Sequence, residues 1–126
     1  MELRLPNEPF SAVKARRFVR EVLQEWDVLD IIDDAELATS ELVGNVVRHA
    51  GTDLVLRVEV DDFVKISVRD WHPELGPVHP RESIDLTEHG RGLRIVAALA
   101  MDCGVDISAD SKTVWLTLPI RSRVAL

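Results

Sequence analysis

SELVGNVVRHA (40–50) is the stretch whose reading decides the fold. Glu41, Asn45 and His49 are spaced by four, so each step turns only about 40° round a helix axis and the three form one polar stripe. The stripe borders the apolar arc Ile32, Ala35, Leu42, Val43, Val46 and Ala50 rather than opposing it, and that arc should face a sheet. A carboxylate, a carboxamide and an imidazole at the edge of a buried face need partners, and a ligand is one candidate. Alternatively, Asn45 and His49 bond to backbone or to one another while Glu41 and Arg48 are solvated surface charges. On this helix alone the second reading ranks first.

Working outward, the helix begins near Asp33, where acidic residues suit the positive end of the dipole, and stops at Gly51, a usual C-terminal cap. Upstream, Leu3-Arg4-Leu5 alternates before Pro6 as a short edge strand would. Pro9-Phe10-Ser11 then leads into a helix with Ser11 as N-cap, and Ala12, Ala15, Val19, Val22 and Trp26 keep helical spacing over about 12–26. Downstream, Leu54-Leu56-Val58-Val60 and Val64-Ile66-Val68 alternate with mostly polar neighbours and meet at Asp61-Asp62, a hairpin. Periodicity then disappears for about twenty residues that hold Pro73, Pro77 and Pro80, a length of loop that in compact domains is a lid or a disordered segment. A helix over about 91–101 and strands near 103–108 and 113–119 complete a βααββαββ order. It predicts an α+β, two-layer arrangement with helices on one sheet face.

Two further features bear on chemistry. Asp70 has the strand parity of Val64, Ile66 and Val68, so it should point to the face that buries them. A satisfied buried acid, or a strand that ends one residue earlier, would account for it equally. His89-Gly90-Arg91-Gly92-Leu93 puts two glycines one residue apart at the opening of an apolar helix, where free N–H groups bind anions such as phosphate, although G-x-G alone is more often a loop exit or cap.

Taken in order, acid–amide helix, hairpin ending in Asp, long loop, glycine turn, helix and two strands, the chain resembles the histidine-kinase-like ATPase superfamily, the GHKL or Bergerat fold. Within it the chain looks like the small bacterial anti-sigma-factor serine/threonine kinases, over nearly its whole length. The resemblance implies a Bergerat two-layer α/β sandwich with a mixed, mostly antiparallel sheet, and ATP and Mg²⁺ as ligands. It implies that Asn45 holds Mg²⁺ through its side-chain oxygen, that Arg48 contacts the phosphates, and that Glu41 acts as general base toward an acceptor hydroxyl or polarises a water. Asp70 would accept a hydrogen bond from the adenine amino group and so favour ATP over GTP.

Gly90, Arg91, Gly92 and Leu93 match the third box, and Thr113, in KTVWLTL (112–118), becomes a contact near adenine. The usual second box has Gly two residues after its Asp, where this chain has His72; the next glycine, Gly76, is the candidate contact there. The loop 71–88 would be the lid over the phosphates. The implied activity is phosphorylation of a STAS-type anti-anti-sigma protein by a kinase that also binds a sigma factor. A rival reading is a non-catalytic ATP-binding module whose ordered surface binds a partner, and a third is a nucleotide-independent interaction domain.

Composition bounds these readings. A chain of 126 residues with 46% hydrophobic content suits one core, hence one domain over 1–126. A net charge of −7 and a pI near 5.0 argue against general binding of nucleic acid or anionic lipid, which needs clustered Lys and Arg. Cys103 is the single cysteine, no apolar run reaches membrane-spanning length and no secretory leader is evident, so a soluble, cytoplasmic protein is expected. His49, His72, His79 and His89 lack the spacing of a zinc motif. Trp26, Trp71 and Trp115 read as core or pocket wall, and the edge strand at 3–5 offers a side through which two subunits could pair.

Overall fold

The computed structural model describes residues 1–71 and 98–121. In chain order the elements are β1 (Glu2–Leu5), α1 (Ser11–Glu25), α2 (Ile32–His49), β2 (Leu54–Val60), β3 (Phe63–Asp70), β4 (Asp102–Ile107) and β5 (Lys112–Pro119). The strands form one sheet in the order β1-β2-β3-β5-β4, and every pairing in it is antiparallel. This is the expected α+β layering, with β1 on an edge as its short alternation before Pro6 suggests. The helix expected over 91–101 lies largely outside the described residues; of its end, Ala98 and Leu99 are helical.

Alternation along the strands divides the sheet into two faces. Leu5, Leu54, Leu56, Val58, Val64, Ile66, Val68, Leu116 and Leu118 point to one of them. There they join Ala15, Val19, Val22 and Leu23 of α1 and Ile32, Ala35, Ala38, Leu42, Val43 and Val46 of α2 in a single buried cluster. The whole apolar arc read for α2, Ile32 through Ala50, is buried. The two helices are also tied to each other on their outer side, by Arg16 Nη1 donating to Ser40 Oγ at 2.9 Å and Arg20 bridging both oxygens of Glu36 at 2.7 and 3.0 Å.

The helix ends show which local signals held. Gly51 follows α2 with φ of +74°, a left-handed conformation that glycine adopts without strain. α1 ends in a Schellman turn without glycine. Asp27 takes φ of 57°, the Val28 N–H donates to Leu23 O at 2.9 Å, and the Asp27 N–H donates to Gln24 O at 3.1 Å. Because the chain reverses there, Trp26 leaves the apolar arc and is 50% exposed, while Val28 takes a buried position against the helix end.

Ser11 is not the N-cap. It is the first helical residue, and its hydroxyl donates to Pro6 O at 2.6 Å. The first turn is instead closed by backbone bonds, Ser11 N–H to Glu8 O at 3.0 Å and Ala12 N–H to Pro9 O at 3.3 Å, which take up donors a side-chain cap would have satisfied.

Candidate functional site

The stripe on α2 survives folding as a graded edge: Glu41 and Asn45 are half-buried, Arg48 and His49 exposed. Arg48 Nη2 donates to Asn45 Oδ1 at 2.8 Å, so the carboxamide oxygen is held by the cation one turn on. That fold-back runs over Gly44, where an added Cβ would lie 3.2 Å from Arg48 Nη1. Glycine inside a helix is less stable than alanine by about 1 kcal/mol, and here it leaves the guanidinium room beside Asn45.

A second set of bonds locks this helix end to the end of β3. Asn7 Nδ2 donates to Val46 O at 3.2 Å and to Thr52 O at 2.9 Å, joining the last turn of α2 to the segment before β2. Thr52 Oγ1 in turn accepts from the Trp71 N–H at 3.1 Å, immediately after Asp70. α2 also packs directly on β3. The helix that carries Glu41, Asn45 and Arg48 is therefore held against the strand that ends in Asp70.

Asp70 is still within the ladder, opposite Leu54 on β2 and Lys112 on β5, so the strand does not stop short of it. Its side chain is 0% exposed on the helix-covered face, and Lys112 Nζ lies 3.6 Å from Oδ2 with the lysine side chain 15% exposed. Thr113 is not brought to Asp70. It pairs with Arg69 and Asp106, and alternation turns it to the opposite sheet face. The inward position beside the acid belongs to Lys112.

On that opposite face Trp71 lies between the Arg4 and Arg69 guanidinium groups, each 5.2 Å from its ring centroid, and Lys65 Nζ stands 4.9 Å from the Trp115 ring. Neither tryptophan belongs to the core. Gly76, Gly90, Arg91, Gly92 and Leu93, like His72 and the loop after Trp71, lie outside the described residues.

Among the described residues no group of three His, Cys, Asp or Glu side chains could hold a metal ion, and no helix is long and apolar enough to cross a membrane. Cys103 is exposed on β4; partial burial, then the charge of Asp102, raises its thiol above the ordinary range, which disfavours the thiolate a metal would need.

Sequence reasoning missed Lys112, Asn7 and Gly44. Lys112 was accessible to it: with Val114, Leu116 and Leu118 inward, parity puts residue 112 inward as well. Asn7 was not, since its partners lie 39 and 45 residues away.

An antiparallel sheet with helices on one face and a buried acid at the end of its central strand defines the class as an α+β domain of the Bergerat type. The family model for the histidine kinase-like ATPase domain matches residues 5–118, and the chain belongs to that family. Membership implies ATP as the ligand. Among solved structures, "The crystal structure of the RsbU and RsbW domains of Rv1364c from Mycobacterium tuberculosis" is similar with a TM-score of 0.61 at 23% identity, over 100% of this chain and 35% of that one. The likeness is one of fold, and this chain spans about a third of the length of that one. No curated protein matches.

Proposed function

We propose that this chain is an ATP-dependent protein serine/threonine kinase that binds a sigma factor and phosphorylates a STAS-type anti-anti-sigma protein. The observation that carries the reading is Asp70, a carboxylate buried at the end of β3 on the face that α2 covers. A carboxylate held there beside Lys112, whose Nζ lies 3.6 Å from Oδ2, is an acceptor of the kind that suits the amino group of adenine.

The donor set on α2 fits the phosphate end. Asn45 Oδ1 is a hard, half-exposed oxygen of the type Mg²⁺ takes, and with no acid cluster among the described residues it would be the protein's single ligand, the rest being water and phosphate oxygens. Mg²⁺, when bound there, neutralises charge on the phosphates. Arg48, which already reaches the Asn45 oxygen, would turn to the phosphates, since two cations on one carboxamide oxygen repel. Glu41, half-buried four residues before Asn45, would accept the proton of the attacking serine or threonine hydroxyl.

Thermal unfolding with Mg²⁺-ATP tests the nucleotide site. A hundredfold excess over the dissociation constant should add about 2.7 kcal/mol, a rise of several degrees in Tm, that Asp70→Asn largely removes. An equal rise in the variant, or none in the parent, overturns the site. Incubation with labelled ATP and a candidate antagonist tests the kinase: transfer should vanish in Glu41→Ala while ATP binding persists. Binding without transfer in the parent would favour the non-catalytic module instead.

A further inference from the structure

Single large apolar side chains at scattered surface positions need no explanation, whereas a concentration of them does. Of the seven that are exposed among the described residues, Met1, Trp26, Leu29, Phe63 and Met101 lie at one end of the domain, and Phe10 and Ile107 at the other. Register fixes that end. Phe63 opens β3 opposite Pro119, the Met101 N–H donates to Thr117 O at 2.8 Å, and the Val58 N–H donates to Met1 O at 2.9 Å. Arg121, just beyond β5, places its Nη2 3.6 Å from Asp34 Oδ2 in the first turn of α2, which brings the α1–α2 turn with Trp26 and Leu29 to the same end. Asp70 closes β3 at the far end, roughly 23 Å away at about 3.3 Å per residue.

Trp26 and Leu29 are the most telling of the five. The turn that carries them is already seated by Val28, which is fully buried and supplies the apolar contact of the Schellman closure. The fold therefore asks nothing of its two neighbours, yet both are large, apolar and half exposed or more. The charges around them are mainly negative. Glu25, Asp27, Asp33, Asp61, Asp62 and Asp102 are exposed at this end, while Arg121, a cation that reaches it, is engaged by Asp34.

We propose that this end is a docking surface for a basic amphipathic segment of a partner protein, one that carries apolar side chains among lysines or arginines. The apolar side chains cover Trp26 and Leu29, and the cations meet the acidic rim. The same rim repels anionic lipid and nucleic acid. A second copy offering this end would set carboxylates against carboxylates. The surface lies apart from the nucleotide site and stands whether or not that reading does.

The probe is a fluorescently labelled amphipathic helix of leucine and lysine, titrated with the whole chain and followed by anisotropy. It should bind saturably in the micromolar range, and a leucine–glutamate helix of the same pattern at least about tenfold more weakly. Trp26→Ser and Leu29→Ser, made singly at exposed positions, should each weaken the lysine helix about fivefold or more, as loss of an anchor does. Phe10→Ser, at the other end, should leave its affinity unchanged within about twofold, since a residue outside the interface contributes nothing to it. None of the three should alter the rise in melting temperature that Mg²⁺-ATP gives the parent. Absence of saturable binding, equal binding of the glutamate helix, an equal loss in Phe10→Ser, or no loss in either Trp26→Ser or Leu29→Ser overturns the proposal. So does a concentration-dependent dimer in sedimentation that Trp26→Ser abolishes, which would assign the surface to a second copy. A parent that binds the lysine helix but shows no response to Mg²⁺-ATP overturns the nucleotide site alone.

Discussion

The two faces of the sheet carry similar numbers of side chains and hold them by different physics. Toward the helices the strands present a continuous apolar surface that ends in one ion pair, Asp70 with Lys112. Away from the helices they present Arg4, Arg57, Lys65 and Arg69 beside Trp71 and Trp115, arranged as cation–aromatic stacks and surface salt bridges such as Arg57 with Glu59 at 3.3 Å. The first face derives its stability from area removed from water, the second from weak contacts at a solvated surface. A polar group is therefore informative on the first face and ordinary on the second. That is why the Asp70–Lys112 pair stands out on the covered face, whereas the more numerous charges opposite do not.

The sharpest way to break the comparison is a matched pair of truncations at adjacent positions on β3. Ile66→Ala on the covered face should cost about 2–5 kcal/mol, from lost transfer energy and the cavity left behind, and lower Tm by roughly 10 °C or more. Lys65→Ala on the opposite face removes a cation–aromatic contact and should cost about 1 kcal/mol or less. Equal losses in thermal unfolding would mean that the outer face is packed by something other than the contacts seen.

A smaller effect sharpens the account of the outer face itself. Gly104 lies opposite Trp115 in the β4–β5 pairing, and a Cβ added there would stand 2.5 Å from the indole ring. Gly104→Ala must push Trp115 off its seat, a steric strain of about 1–3 kcal/mol. In a Trp115→Val background the same substitution should cost much less, because the two residues touch and their effects cannot add. Equal costs in both backgrounds would assign the loss to the β4 backbone instead.

The covered face was largely legible in the sequence, because period-two alternation in β2 and β3 fixes which residues point inward, and Asp70 fell in that row. α2 was legible for the same kind of reason, with its arc and Gly51 both local signals. What escaped depended on distant chain. Trp26 continues the spacing of α1, but the turn at Asp27 ends the helix beneath it, and nothing in the periodicity announces a left-handed aspartate. Ser11 has the composition of an N-cap, yet the backbone turn after Pro6 satisfies the helix first. Thr113 entered through family resemblance, one residue from the lysine that register sets against Asp70. The apolar residues of β5 already fix that parity, which sets Lys112 rather than Thr113 on the face of Asp70.

The smallest expected effect lies on the outer side of the helix layer, where Arg20 grips Glu36 at 2.7 and 3.0 Å. The hydrogen bond from Arg20 holds the Glu36 carboxyl below the usual carboxylate range against the opposing effect of burial, with the charges of Arg20 and Arg16 adding to the lowering. Because the folded value is depressed, the contribution to stability is complete above the unfolded carboxylate's value of about 4.3 and is lost as pH falls from there through the lower folded value. Glu36→Gln should therefore lower Tm at neutral pH by about two degrees or less, as expected for a solvated pair, and by nothing once the parent's carboxyl is protonated. High salt should shrink the neutral-pH difference as well. A difference that persisted in acid would show that Glu36 holds α1 to α2 by packing, and would move this contact from the physics of the open face to that of the covered one.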